Sequence, residues 1–122
     1  MIARLAGFPD DVLAFAYQGH VTKDAYDTVL VPAVAKALET HKRLRVYCEV
    51  KSDFSGLDAG AMWEDLKVGI GHLTRWERVA IVTDLDWIAR SMQFFNFLVP
   101  CPMRVFPTSE AAQAREWITA AS

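Results

Sequence analysis

The chain lacks an excess of positive charge. Its 122 residues carry 13 Lys and Arg against 15 Asp and Glu, a formal net charge of -2. A protein that binds nucleic acid through the phosphate backbone normally concentrates basic side chains on one face, so this balance argues against nucleic acid as a partner. The 52% hydrophobic content excludes a disordered chain. The length suits a single domain over residues 1–122.

The chain is also poor in cysteine and has no long apolar run. Cys48 and Cys101 are its two cysteines and form no CxxC pair, so we expect two thiols rather than a disulfide. The longest apolar stretch, residues 94–103, contains Asn96 and two prolines and is far shorter than the roughly 20 residues that span a bilayer. The first residues lack the apolar core of a signal peptide. We therefore expect a cytoplasmic protein with no transmembrane segment.

The common catalytic and cofactor-binding motifs are missing as well. The histidines His20, His41 and His72 share no HxxH or HExxH spacing, which argues against a zinc site. The sequence contains neither a GxGxxG nor a P-loop motif for nucleotide phosphates, and no GxSxG nucleophile elbow. A carboxylate pair of Glu49 and Asp53 is common by chance in a chain with 15 acidic residues. We expect no metal, no cofactor and no enzymatic activity.

Strand-like and helix-like segments alternate along the chain. The strand patterns cover residues 2–5, 12–18, 44–50, 78–83 and 103–106. The helical patterns cover residues 22–37, 58–73, 87–98 and 109–120. The order is therefore β-β-α-β-α-β-α-β-α. It predicts a single α/β domain whose mostly parallel sheet has an N-terminal hairpin at its edge.

Three local patterns make finer predictions. Pro32 lies inside the first helical pattern and predicts a kink or a fresh helix start. In the third strand, side chains alternate between the two faces of the sheet: Leu44, Val46, Cys48 and Val50 on one, and Arg45, Tyr47 and Glu49 on the other. In the second helix, one apolar stripe consists of Ala59, Met62, Trp63, Leu66, Ile70 and Leu73.

The ends of the predicted strands are rich in polar residues. His20 follows the second strand, Lys51 follows the third and Thr83 ends the fourth. Ligands of open parallel sheets tend to bind beyond the carboxyl ends of the strands, although Asp, Ser and Thr in such places are also turn formers and helix caps. Both interpretations stay open. The residues of a candidate switch or ligand loop are Ser52, Asp53, Ser55, Asp84 and Asp86.

Residues 87–100 have a wider apolar face than a surface helix needs. Toward the end of this helix the apolar arc covers about 200°, against roughly 100° for an ordinary amphipathic helix. The excess can be covered by the terminal helix, by a protein partner or second copy, or by a lipid or other apolar ligand. The candidate interface consists of Trp87, Phe94, Phe97 and Leu98.

Taken in order, these segments resemble the SpoIIAA-like family of small STAS-fold proteins (STAS denotes the sulfate-transporter and anti-sigma-factor-antagonist domain). The likeness runs over nearly the whole chain. It implies a STAS-like α/β fold with the element order given above. It also implies a regulatory or interaction domain, not an enzyme, that binds another protein or forms a homodimer. The matching text is at residues 5–9, 12–15, 22–32, 53–57, 61–65, 72–73, 78–84 and 103–107.

The resemblance has two further implications. Anti-sigma factor antagonists carry a phosphorylatable Ser or Thr in a loop before the second helix, and Ser55-Gly56-Leu57 is similar to part of that loop, with Phe54 where an Asp-Ser pair is expected. A phosphate on Ser55 would add nearly two negative charges close to a helix N-terminus. The family is also grouped with CRAL-TRIO-like lipid-binding folds, which implies an apolar-ligand or lipid-binding module at residues 87–100 as the alternative function.

Overall fold

Five strands form the main sheet of the computed structural model, which describes residues 1–71, 73–95 and 101–121, without the side chains of residues 65, 66, 69, 70, 73 and 92–95. In the sheet order β1-β2-β4-β6-β7, β1 runs antiparallel to β2 and the other neighbours are parallel. The predicted α/β fold with a hairpin edge is confirmed. The strands are β1 (Ile2–Arg4), β2 (Val12–Tyr17), β3 (His20–Val21), β4 (Leu44–Val50), β5 (Gly56–Leu57), β6 (Trp76–Val82) and β7 (Met103–Phe106).

The helices begin close to their predicted positions. A π-helical stretch, Tyr26–Leu30, joins α1 to α2, and Pro32 lies in the first turn of α2. The backbone is helical at Leu30 and Val31, so the irregularity predicted at Pro32 takes the form of this π-helical stretch and not of a fresh helix start. Residues 96–100, which include the predicted end of the third helix (residues 87–98), lie outside the described residues. The helices are α1 (Lys23–Ala25), α2 (Val31–Leu38), α3 (Ala59–Gly71), α4 (Asp86–Phe95) and α5 (Ala111–Thr119).

The connections between parallel strands place their helices on one face of the sheet. The steps from β2 to β4, β6 and β7 each move one strand in the same direction, and right-handed crossovers then carry α1 to α4 over the same face. One core lies under these helices and includes Phe15 of β2, Cys48 of β4 and Ile88 of α4. The opposite face is covered by α5.

The side chains of β4 divide between these two cores as the alternation predicts. Leu44 and Cys48 belong to the core under α1 to α4, whereas Tyr47 belongs to the core under α5. On the same face as Tyr47, Arg45 is also buried on the α5 side. Cys48 and Cys101 are buried thiols, in agreement with the expectation that they form no disulfide.

Two arginines hold the last turn of α5 against the sheet. Arg45 donates from Nη1 to the carbonyl oxygens of Ile118 at 2.9 Å and Ala120 at 2.5 Å. Arg78 donates to the carbonyl oxygens of Trp117 at 2.9 Å and Ala120 at 3.1 Å. These are carbonyls that a helix C-terminus leaves without intrahelical partners. The guanidinium groups therefore cap α5 and fix it to β4 and β6.

Those residues of the predicted α3 stripe whose side chains are described do not face the core. Ala59 is exposed, and Met62 and Trp63 are each 60% exposed. The helix instead turns Ala61 toward the core, where it is fully buried. The side chains of the other stripe members, Leu66, Ile70 and Leu73, lie outside the described set.

A second, two-stranded sheet is present that the sequence patterns do not predict. In it β3 pairs in parallel with β5, with His20 opposite Gly56. Both strands are two residues long, too short to show a periodic pattern. The pairing ties the loop after β4 to the turn after β2, and this determines where several predicted site residues lie.

Candidate functional site

The carboxyl ends of β2, β4, β6 and β7 lie at the same edge of the sheet, as their parallel pairing requires. The chain leaves β6 toward α4 on one face and leaves β7 toward α5 on the other. Crevices that bind ligands in open α/β sheets form where neighbouring connections diverge in this way. The candidate site is therefore expected between the ends of β6 and β7.

Residues Asp53 and Ser55 of the predicted switch loop do not lie at that divergence but against the turn after β2. Asp53 accepts a hydrogen bond from the Gly19 N–H at 3.3 Å, and the Ser55 N–H donates to the Gly19 carbonyl at 2.9 Å. Gly19 has a φ of +58°, which a residue with a side chain rarely adopts. The Ser55 residue is exposed.

The two aspartates after β6 are separated by the start of α4. Asp84 accepts the Thr108 N–H at 2.8 Å and so bridges the ends of β6 and β7. Asp86 is the exposed first residue of α4. Thr83 is buried, and its hydroxyl accepts the Leu85 N–H at 3.1 Å. Asp84 therefore lies where the connections after β6 and β7 separate. Asp86 instead begins α4, which lies on the opposite face of the sheet from α5.

A cleft of about 310 Å³ opens at this edge on the side of α5, and we call it the α5 cleft. Two residues of the predicted switch or ligand loop, Ser52 and Asp84, line it together with Lys51, which follows β4. Its walls also include residues that the sequence analysis did not assign to a site: Glu49, Val82 and Thr108.

The Glu49 carboxylate is held in the cleft wall by two donors. Tyr47 donates its hydroxyl hydrogen to Oε1 at 2.7 Å, and Lys51 donates from Nζ to Oε2 at 2.9 Å. Burial favours a raised pKa for Glu49, but the two donors outweigh it, and the pKa of this carboxyl lies below its ordinary value. Burial, together with the hydrogen bond to Glu49, raises the pKa of Tyr47.

This arrangement predicts an alkaline pH dependence for Tyr47→Phe. Near neutral pH the variant loses one buried hydrogen bond, and we expect its free energy of unfolding to be about 1 kcal/mol lower than that of the wild type. The folded pKa lies above the ordinary value of 10.0, so above that pH the unfolded wild type releases a proton that the folded protein retains. Wild-type stability therefore falls as the pH rises, and the gap between the proteins narrows. Urea denaturation between neutral pH and about pH 11 measures this; a gap that stays constant would contradict it.

An exposed aromatic side chain, Trp87, lies on the other face at the start of α4 and packs on the buried ring of Phe54. Trp87 is 48% exposed, and its ring stacks on Phe54 with 5.7 Å between centroids and an angle of 15°. Phe54 in turn contacts Tyr17 at 6.1 Å. Of the other predicted interface residues, Phe97 and Leu98 lie outside the described residues, and the side chain of Phe94 is not described.

Comparison with known proteins identifies the family. The family model described as SpoIIAA-like matches residues 12–119. The chain belongs to the SpoIIAA-like family. A similar solved structure is that of an uncharacterized protein of the DUF3478 family, with a SpoIIAA-like fold, from Shewanella loihica PV-4. The two share 25% sequence identity and superpose with a TM-score of 0.78, covering 96% of this chain and 93% of the other. Curated proteins gave no match.

Membership of the SpoIIAA-like family confirms the resemblance and the fold but assigns no site residue. Within the described residues, no group of three or more His, Cys, Asp or Glu is placed to hold a metal ion. Over the same part of the chain, no helix is long and apolar enough to cross a membrane. The roles assigned to Ser52, Asp53, Ser55, Asp84 and Asp86 therefore stay predictions.

Some cleft residues of this SpoIIAA-like domain were not assigned to a site in the sequence analysis, although sequence patterns indicate their positions. The alternation of β4 already places Tyr47 and Glu49 on one face, three residues and one residue before the strand end. Thr108 follows β7 much as Asp84 follows β6. The sequence does not indicate which face of the sheet α5 covers. That face determines which residues at the strand ends share a cleft.

Proposed function

We propose that this SpoIIAA-like domain is a non-enzymatic interaction domain that associates with a second copy of itself through the α3 face, defined here as Ala59, Met62 and Trp63. The observation that carries the proposal is the exposure of the two large side chains. Met62 and Trp63 are each 60% exposed at adjacent positions of one helix. Such contiguous apolar surface is typical of interaction sites.

The energetic argument rests on the size of the indole. An aromatic side chain contributes about 150–250 Å² of surface, and burying the exposed part of Trp63 stabilises a complex by roughly 2–3 kcal/mol. Tryptophan is also enriched among the residues that dominate interface energies. A pair of such residues, one from each subunit, supplies a hydrophobic centre for an interface.

A second copy suits this face because the face is nearly free of uncompensated charge. In the next turn of α3, Lys67 bonds Glu64 at 2.8 Å, so these two charges already offset each other. An interface with two-fold symmetry places the same patch on both subunits. An apolar patch meets its own copy without like-charge repulsion, and the ion pair is then placed at the polar rim.

The test is the oligomeric state of Trp63→Lys. We expect light scattering and native mass spectrometry to show a dimer for the wild type. The dimer dissociation constant of the variant should be at least about tenfold higher than that of the wild type. The side chain is exposed, so the variant should keep its fold, which circular dichroism checks. Ala112→Lys adds the same charge at an exposed position of α5 and is the matched control. A monomeric wild type, or a variant that dimerises as tightly as the control, would overturn the proposal.

Binding of an apolar ligand is the second candidate, and the exposed ring of Trp87 favours it. The stacking on Phe54 fixes this indole at the surface as a flat apolar platform. The same native spectra address this candidate. An additional mass that is present under native conditions and lost on denaturation would support a ligand over self-association.

A further inference from the structure

The α5 cleft has an uneven charge distribution. Three ionisable side chains line it: the carboxylates of Glu49 and Asp84 and the ammonium group of Lys51. Lys51 is already bonded to Glu49. The lining therefore carries one negative charge in excess, and that charge belongs to Asp84.

Asp84 presents one oxygen to the cleft. Its Oδ1 accepts the Thr108 N–H at 2.8 Å, which fixes the orientation of the carboxylate. Among the described residues, no hydrogen bond is made to its Oδ2. The carboxylate is thus positioned by the fold but keeps an acceptor for a further donor.

The remaining walls set the size and the shape of what can enter. The volume of about 310 Å³ is near the lower limit for small-molecule sites. Val82 is buried beneath the opening, and Ala111 lies at its α5 side. Apolar surface next to a carboxylate suits a short aliphatic stem that ends in a cation.

We propose that the α5 cleft binds an organic cation, a primary ammonium or guanidinium group on a short aliphatic stem, with Asp84 as the anionic contact and Val82 and Ala111 against the stem. This chemistry occurs in free diamines and in the lysine or arginine side chain of a protein. The cleft is on the face of the sheet opposite α3, so the proposal is independent of self-association through the α3 face.

The test follows amide signals of the full chain in ¹H–¹⁵N spectra at constant ionic strength. One arm titrates butane-1,4-diamine, and a second titrates the peptide acetyl-Gly-Lys-Gly-amide. We expect saturable shifts at Thr108 and Ala111 with dissociation constants of about 1 mM, because partly exposed charges bind weakly. Butane-1,4-diol and the acetyl-lysine form of the peptide are the neutral controls and should not saturate. Saturation by the diamine indicates free amines as ligands, and saturation by the peptide alone indicates a protein side chain.

Two matched variants test the role of Asp84. Asp84→Asn keeps an oxygen for the Thr108 N–H and removes the charge, so we expect the folded variant to bind about tenfold more weakly. Asp86→Asn removes the same charge two residues away, outside the cleft lining, and should bind as the wild type does. The proposal is overturned by saturation with the neutral controls, by unchanged binding to Asp84→Asn, by equal loss in both variants, or by no saturation up to about 20 mM of either cation.

Discussion

Replacing Arg45 by alanine is expected to lower the free energy of unfolding by about 3 kcal/mol. Arg45 is 7% exposed, and its Nε donates to Glu77 at 2.6 Å while Nη1 binds the last turn of α5. The variant leaves Glu77 without this partner and removes a donor from two helix-end carbonyls. Glu77 retains 27% exposure of its side chain, so water compensates part of the loss, and we take the lower end of the range for a broken buried pair.

Thermal and urea unfolding measure this effect, and we expect a melting temperature lower by about 10 °C. Arg43→Ala is the matched control, because Arg43 is exposed and two residues away; its change should stay within about 0.5 kcal/mol. Hydrogen exchange should show that the amides of α5 lose the most protection in Arg45→Ala. Equal stability of Arg45→Ala and Arg43→Ala would contradict the role of Arg45 in fixing α5 to the sheet.

Phe15→Ala is expected to have the largest effect, about 4 kcal/mol. Phe15 is 1% exposed on the central part of β2 and belongs to the core under α1 to α4. Removing the ring loses its burial and leaves a cavity between the sheet and helices that cannot fully close.

The same substitution at a second phenylalanine is the control. Phe8 is half-buried, and its ring packs at a tilt against Tyr47 with 4.8 Å between ring centroids, so Phe8→Ala should cost about 1–2 kcal/mol. Urea denaturation of both variants gives the two values. A cost for Phe15→Ala no greater than that for Phe8→Ala would show that the core under α1 to α4 does not depend on this ring.

Strands and their order could be predicted because their signals are local. The apolar runs and the two-residue alternation of β4 are properties of neighbouring residues, and the β-α alternation restricts the sheet to a parallel order. The pairing of β3 with β5 could not be predicted in this way. It joins two dipeptides that are 36 residues apart at their register pair His20 and Gly56.

The orientation of α3 shows why periodicity alone is insufficient. The sequence places a stripe of large apolar residues on this helix but does not say which layer it faces. In the fold, Gly60 lies so close to α1 that an added Cβ would stand 2.9 Å from the Cβ of Lys23. The small side of α3, with Gly60 and Ala61, therefore makes the close contact, and Met62 and Trp63 are left outside.

The candidate site was predictable only as an edge of the sheet. Parallel strands bring Lys51 and Asp84 to the same edge, and sequence order is enough to expect this. The division of that edge into a cleft with Asp84 and a loop with Asp53 depends on the hydrogen bonds of Gly19 and Thr108. Those contacts join segments that are distant in the sequence, and no local sequence pattern predicts them.

The position of α5 as the cover of a whole sheet face also has a consequence for biosynthesis. The helix follows all the strands of the main sheet in the chain, so a ribosome produces the sheet before it produces the cover. Until residues 111–119 emerge, Tyr47, Val82 and Phe106 on that face have no helix to pack against. A nascent chain at this stage exposes apolar strands of the kind that chaperones recognise and that aggregate when synthesis stalls. The packing of α5 therefore ends the exposure of this face of the sheet.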